Sequence, residues 1–247
     1  MRKLDHFVVH IDDNEAILTK LKEEIEPLGF PFEPKWGKGT KGFKAANIWI
    51  GRQYFEIIRL LRPDGGGWVP NWVIRYNRGT RGLYCVFLMT DEIEQLAVDL
   101  KNRGLDVSEP ERISFSACFG LIRKTLPWRL IYLPPVPGTE FELGFIQYDP
   151  DPKDRIKKYL VPNSDEVGID GIHSAAISLP LNHQAVDFLR KVFPDGTNAH
   201  ENFEVQLDNG KLNFENASVV ETQFFAETSD SKLKGNDFRL LDVRVQT

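Results

Sequence analysis

Two histidines near the start of the chain could bind a metal ion or move a proton. His6 and His10 lie in the segment LDHFVVHIDD, residues 4–13, where alternate side chains fall into two sets. This alternation predicts a strand that carries both imidazoles on one face. Imidazole titrates near neutral pH and is a common metal ligand, so both kinds of chemistry are open to this face. The opposite face is expected to pack under a helix and carries Phe7, Val9 and Ile11.

The elements that follow this strand form a compact unit. Apolar residues at helical spacing predict a helix over residues 14–28. Further strands are predicted near residues 32–35 and over 43–50 and 53–61. The order is therefore β-α-β-β-β.

The same order is predicted twice more along the chain. The second copy has a strand over 82–90, a helix over 91–103, and strands over 105–108, 121–133 and 141–149. The third copy begins at residue 171 and places His173 where His6 stands in the first. Residues 219–247 hold at least two further strand-like runs. Such repetition predicts repeated supersecondary modules.

These repeats predict the division of the chain. We expect modules at about 3–62 and 82–150 to pair within residues 1–150, and a third, degenerate module within 165–247. The sheet edge and open face of the third module need covering, either by packing within the chain or by a second copy of the module, and the hypothesis adopted is a homodimer. We expect that open face to be lined by His173, Ala175 and Ile177, with Glu215 across from them.

Two basic segments could bind anions. Arg75, Arg78 and Arg81 recur at every third residue of the connector 62–81. They could clamp a substrate carboxylate, but a solvated basic linker is the favoured interpretation. Residues 35–44 include GKGTKG, which lacks the spacing of a phosphate loop and predicts a solvated hairpin loop. No nucleotide cofactor is therefore expected.

Composition excludes several classes of function. The net charge of −5 gives no reason to expect a nucleic-acid partner. No apolar run reaches the length of a membrane span, and the N-terminal residues lack the apolar core of a signal peptide. Cys85 and Cys118 are isolated and are interpreted as reduced thiols, which predicts a cytoplasmic location.

The repeated module opening with LDH resembles the vicinal oxygen chelate superfamily of glyoxalases, extradiol dioxygenases, epimerases and resistance proteins. Within it, the chain is similar to the glyoxalase-like family. The segments that carry this resemblance are LDH at 4–6, YFEI at 54–57, PWRLIY at 127–132 and FIQY at 145–148. The resemblance implies an α+β fold in which two β-α-β-β-β modules pair into an open cup, with a third, partial module beside it.

The resemblance also implies a site. Family ligand positions correspond to His6, Glu56, Tyr84 and Gln147 in this chain. His6, Glu56 and Gln147 would hold a divalent metal, which could be manganese, nickel, cobalt, zinc or iron. Tyr84 departs from the pattern and is better suited to a pocket wall or a hydrogen-bond donor. An alternative register of this strand would place Glu142 in the cup. The register that places Gln147 there is preferred.

Two functions remain open for such a cup. The first is a metal-dependent lyase or isomerase acting on a small oxygenated molecule, with Glu56 and Tyr84 as catalytic residues. The second is a metal-free protein that binds or sequesters a small molecule. Dioxygenase chemistry is less favoured because the matched positions supply one histidine. The substrate pocket would include His10, Trp128 and Arg129.

Overall fold

The architecture is that of a computed structural model, which describes residues 2–12, 14–28, 30, 42–112, 114–117, 122–150 and 163–247. These residues form four α-helices and fifteen strands in three sheets. The α+β fold class predicted from the sequence is confirmed. In the part of the chain described, no helix is long and apolar enough to cross a membrane.

The first sheet contains six strands in the order β2-β3-β1-β4-β8-β7. β1 is parallel to β3 and antiparallel to β4, and β4 is parallel to β8. The two halves of the sheet thus repeat one pairing pattern about the β1–β4 junction. The strands are β1 Arg2–His10, β2 Phe43–Ile50, β3 Gln53–Leu60, β4 Gly82–Thr90, β7 Trp128–Tyr132 and β8 Glu142–Tyr148.

Two helices cover the outer face of this sheet. α1 spans Glu15–Ile25 and is capped by Asn14, whose side chain accepts a hydrogen bond from the Ala16 amide; a short 3-10 turn, Glu26–Leu28, follows. α3 spans Ile93–Asn102. Phe7, Val9 and Ile11 are buried in a core that also contains the apolar residues of α1. This burial gives the first sheet one dry face and leaves the other for a site.

The second sheet repeats the topology of the first. Its strand order is β10-β11-β12-β9-β13-β15-β14. β9 is parallel to β12 and antiparallel to β13, and β13 is parallel to β15. Its elements are β9 Ile169–Leu179, helix α4 His183–Val192, β10 Thr197–Ala199, β11 Asn202–Leu207, β12 Gly210–Asn216, β13 Glu221–Thr228, β14 Asp237–Leu240 and β15 Val243–Gln246.

The final segment therefore completes the third module. It supplies three strands, β13, β14 and β15, in the sheet positions that β4, β7 and β8 occupy in the first sheet. The homodimer was predicted because the third module would have an unpaired sheet edge. Strand β9 instead pairs with β13 of the same chain. The homodimer itself, the domain boundaries and the cytoplasmic location stay predictions.

Several predicted elements differ from the structure. Residues 105–108 form no strand, and the predicted strand 121–133 breaks at Pro127 into β6 Ile122–Thr125 and β7. β6 pairs instead with β5, Ser114–Ala117, in a separate hairpin. The predicted strand near 32–35, most of the loop 35–44 and Cys118 lie outside the described residues.

The apolar faces of the two large sheets pack on each other. The ring centroids of Phe7 and Phe224 are 4.0 Å apart. Ala175 and Ile177 belong to this buried core, so the prediction that they line the open face of the third module is wrong. The predicted alternation of side chains assigned the wrong set of residues to the open face. Ala176 and Ser178 lie on that face, beside Glu215.

Candidate functional site

The inner face of the first sheet carries the candidate site. On this face His6 of β1 lies opposite Tyr54 of β3 and Phe87 of β4. The next row contains Glu56, Val8, Cys85 and Glu142, each on a neighbouring strand. The parallel pairing of β1 with β3 thus places His6 and Glu56 on one face, as the family resemblance implied.

The connector between the modules fills one half of this cup. Its helix α2, Pro70–Asn77, begins with a proline at its first turn, where no amide partner is lost. Trp72, which is 1% exposed, donates its indole N–H to Glu142 Oε2 at 2.8 Å. The Arg75 guanidinium lies 3.8 Å from the centre of the Tyr84 ring, and its Nη1 is 3.4 Å from Glu142 Oε1.

The prediction that this connector is a solvated basic linker is therefore wrong for Arg75, because the Arg75 side chain is buried. A buried carboxylate needs an ion-pair or hydrogen-bond partner, and Arg75 of the connector provides an ion pair to Glu142. Arg78 is exposed, and Arg81 forms an ion pair with Asp12 at 2.6 Å. The three arginines do not converge on one anion site.

Two predicted site residues lie beneath this helix. His10 is fully buried, and its Nε2 accepts a hydrogen bond from Trp68 Nε1 at 2.9 Å. Burial, with Arg75 and Arg81 nearby, holds the pKa of His10 well below its usual value, so the imidazole is neutral. Tyr84 donates its hydroxyl to the carbonyl of Thr80, and burial raises its pKa to about 12. Neither the pocket role of His10 nor the catalytic role of Tyr84 fits this enclosure.

Two other predicted residues lie on the outer face. Gln147 Oε1 accepts a hydrogen bond from the Ile93 amide at 2.9 Å, at the start of α3. Arg129 forms an ion pair with Glu94 of the same helix. The predicted register of β8 is therefore wrong, because neighbouring residues of a strand point to opposite faces. Glu142, the alternative considered from the sequence, is the residue on the inner face.

The open half of the cup contains a hydrogen-bonded network around His6. The imidazole Nδ1 lies 2.7 Å from Asp5 Oδ1, and Tyr148 donates its hydroxyl to the same oxygen at 3.0 Å. The imidazole is stacked between Phe87 and Tyr54, with centroid distances of 4.3 and 4.9 Å. Sequence reasoning gave no role to Asp5 or Tyr148, although both lie in the segments that carry the family resemblance.

Glu56 adjoins this network. Its side chain is half-buried, and burial raises its pKa while the nearby His6 lowers it. Burial also holds the pKa values of Tyr54 and Tyr148 well above their usual range, so both phenols keep their protons. Trp128 forms part of the wall, with its ring centroid 5.9 Å from that of Tyr148. The open half thus combines a carboxylate, an imidazole and neutral phenols.

These residues do not fit the predicted metal site. Of the three predicted ligands, Gln147 lies on the outer face, which leaves His6 and Glu56. Across the described part of the chain, no group of three histidine, cysteine, aspartate or glutamate side chains could hold an ion. Catalytic metal sites of the zinc type ordinarily use three protein ligands. His6 and Glu56 alone are therefore fewer ligands than the three that the family resemblance implied.

Several proteins of known structure are similar to this chain at low sequence identity. A hypothetical protein from Staphylococcus aureus of known structure is 16% identical, with 100% of this chain and 99% of that chain covered and a TM-score of 0.67. Methylmalonyl-CoA epimerase from Streptomyces coelicolor is 17% identical over 59% of this chain and 94% of that chain, with a TM-score of 0.40. The epimerase from Mycobacterium tuberculosis is 10% identical over 60% and 89%, with a TM-score of 0.42.

The family itself follows from the sequence match. No curated protein matches the chain. A model of the glyoxalase-like domain matches residues 4–193, which is most of the chain. The protein therefore belongs to the glyoxalase-like domain family.

Proposed function

We propose that the open half of the cup binds a small oxygenated molecule and moves a proton on it, as a lyase or isomerase does. The observation that carries this proposal is the half-buried Glu56 carboxylate, whose pKa is raised by burial beside the buried imidazole of His6. A carboxylate with a raised pKa is a stronger base and exchanges a proton more readily near neutral pH.

The chemistry requires a substrate with a carbonyl group. Glu56 removes a proton from the carbon next to the carbonyl, and the electron pair of the C–H bond moves to give an enolate. In an isomerase the protonated Glu56 returns the proton to another carbon of the substrate. In a lyase the enolate expels a leaving group instead. His6 orients an oxygen of the substrate during either reaction.

No step in this scheme is assigned to a metal ion, because the described side chains near His6 do not supply the ligand set that the resemblance implied. Tyr54 and Tyr148 remain protonated. Tyr148 donates its single hydroxyl hydrogen to Asp5, so its part in the scheme is to hold the carboxylate that contacts His6.

A second function, sequestration without proton transfer, is favoured by the aromatic walls. Trp49 and Tyr54 have ring centroids 4.4 Å apart, and Trp128 lies against Tyr148. Aromatic side chains of this kind provide large contact areas for a planar ligand. Helix α2 already occupies the other half of the cup, which leaves a smaller binding surface.

Hydrogen exchange in deuterated water separates the two functions. The protein is incubated with small 2-oxo acids, hydroxy ketones and hydroxy acids, and proton NMR follows the loss of C–H signals. Proton transfer predicts that wild type exchanges at least one compound and that Glu56→Gln does not. Saturation-transfer NMR reports binding of the same compounds. Binding of one or more of these compounds, with no exchange of any of them in wild type, would overturn proton transfer and support sequestration.

A further inference from the structure

We propose that the open face of the second sheet holds a second binding site, separate from the cup of the first sheet, and that its ligand is a small amino acid. A cavity of about 140 Å³ lies on this face. Pockets for drug-sized ligands measure about 300–1,000 Å³, so this cavity takes a smaller molecule. Its walls carry the carboxylate of Glu215, on β12, and the guanidinium of Arg244, on β15.

Short side chains on a central strand create this cavity. β9 lies between β12 and β13 and contributes Ala176 and Ser178 to the cavity. The residues that pair with Ser178 are longer, Glu215 of β12 and Glu221 of β13. Paired residues of adjacent strands point to the same face of a sheet, so the two glutamates rise on either side of the Ser178 hydroxyl.

Glu215 is set to receive a cation. It is half-buried, and Asn213 Nδ2, two residues earlier on the same face, donates to its Oε1 at 2.8 Å. Asn213 Oδ1 is buried without a hydrogen-bond partner among the described residues. An unpaired buried oxygen costs stability, so the fold holds this amide against Glu215 at a cost. No cationic side chain in the described part of the chain pairs with Glu215, and a carboxylate partly removed from water favours a cation as partner.

The other charges at the cavity are already paired, with one exception. Glu221 forms an ion pair with Arg239. Arg244 Nε donates to Asp237 Oδ2 at 2.8 Å, while its two terminal nitrogens make no hydrogen bond to a described residue. A guanidinium has five N–H donors, so this terminal edge can bind a second carboxylate with two parallel hydrogen bonds.

These two unfilled groups define the ligand. An ammonium group donates to the carboxylate of Glu215 and to the hydroxyl of Ser178. A carboxylate on the same molecule accepts from the terminal nitrogens of Arg244. A small amino acid carries both groups, whereas a simple amine or a simple carboxylic acid satisfies only one side of the cavity.

The second site differs from the first in one group. Glu56 of β3 lies two residues after the partner of His6, and Glu215 of β12 lies two residues after the partner of Ala176. Glu215 therefore occupies the position of Glu56, and an alanine replaces the imidazole. The second site binds without this acid–base partner, and the proposal does not rest on the proposed function of the first.

NMR titration of the ¹⁵N-labelled full-length protein tests this site. Glycine, alanine and β-alanine are the probes at neutral pH, and ethylamine and propionate are the singly charged controls. We expect at least one amino acid to cause saturable shifts of backbone amides in β9, β12 and β13, and both controls to bind about tenfold more weakly or less.

Three results with the wild-type protein would overturn the proposal. The first is no saturable shift from any of the amino acids up to about 10 mM. The second is saturable shifts confined to the first sheet, which would place the ligand in the other cup. The third is equal affinity for ethylamine or propionate, which would rule out recognition of both charges.

Variants test the two charged groups separately. Glu215→Gln removes the charge but keeps an oxygen that accepts from Asn213, and Arg244→Gln removes the guanidinium. We expect each to weaken binding about tenfold or more. Glu227→Gln changes the same charge at an exposed residue of β13 outside the cavity and should bind as wild type does. Wild-type affinity in folded Glu215→Gln or Arg244→Gln, or equal weakening in Glu227→Gln, would contradict the proposal.

Discussion

The indole N–H of Trp72 donates to Glu142 Oε2 at 2.8 Å and so fixes helix α2 inside the cup of the first sheet. Both side chains are buried, and Arg75 from the next turn of the helix supplies the opposite charge. The connector is thus part of the cup and limits the candidate site to the half that contains His6 and Glu56. This division separates the predicted site residues into enclosed and open groups.

Replacing Trp72 by Phe should lower the free energy of unfolding by about 2 kcal/mol, because the Glu142 carboxylate loses a hydrogen bond in a buried place. Urea unfolding measures the loss. Trp128→Phe is the matched control at the half-buried wall of the cup, and its cost should be smaller. Equal losses in the two variants would show that the bond to Glu142 contributes little.

Glu56→Gln should stabilise the protein at high pH. Burial raises the pKa of Glu56, so the folded state holds this proton to a higher pH than the unfolded state does. Its contribution to stability is therefore full below the unfolded pKa of about 4.3 and is lost as the pH rises through the folded value. Each unit of the shift corresponds to about 1.4 kcal/mol.

Chemical unfolding at pH 4.5 and pH 8 measures this difference. Glutamine cannot ionise, so the gain of the variant over wild type should grow between the two values. Glu201→Gln, at an exposed turn, is the control and should show no such growth. A wild-type protein that is more stable than Glu56→Gln at pH 8 would mean that the carboxylate has a favourable partner when ionised.

Asp242→Ala should loosen the start of β4. The Asp242 carboxylate lies in the turn between β14 and β15 and accepts hydrogen bonds from the Leu83 amide at 2.9 and 3.3 Å. Without this acceptor the amide loses its partner, at a cost of about 1–3 kcal/mol. Amide hydrogen exchange at Leu83 should accelerate about tenfold or more. Asp242→Asn keeps an acceptor oxygen, and an equal acceleration in that variant would argue against this contact.

Titration with manganese, nickel, cobalt or zinc at neutral pH, without chelator, tests the disagreement with the predicted metal site. Since Gln147 bonds to the start of α3, we expect calorimetry to detect no stoichiometric uptake that depends on His6. His6→Ala and wild type should therefore give the same result. Stoichiometric uptake that His6→Ala abolishes would restore a metal to the site and require ligands beyond those described.

The sequence by itself determined the local elements and the family. Alternation in β1 and helical spacing over residues 14–28 and 91–103 depend on neighbouring residues alone, and these elements occur as predicted. The order of the modules and the LDH segment then indicated the family, which the match to residues 4–193 confirms. The family resemblance implied that His6 and Glu56 share a face, and the pairing of β1 with β3 sets the register that brings them together.

Only the tertiary structure decided which predicted residues share the open site. Residues 142–146 of β8 are buried on both faces, so their burial did not distinguish the two registers, and a shift of one residue exchanges the faces. Arg75 is buried because Glu142, 67 residues away, offers it a carboxylate. The bulge that joins Asp5 to His6 depends on pairing with β4. Such long-range pairings leave no periodic signal in the local sequence.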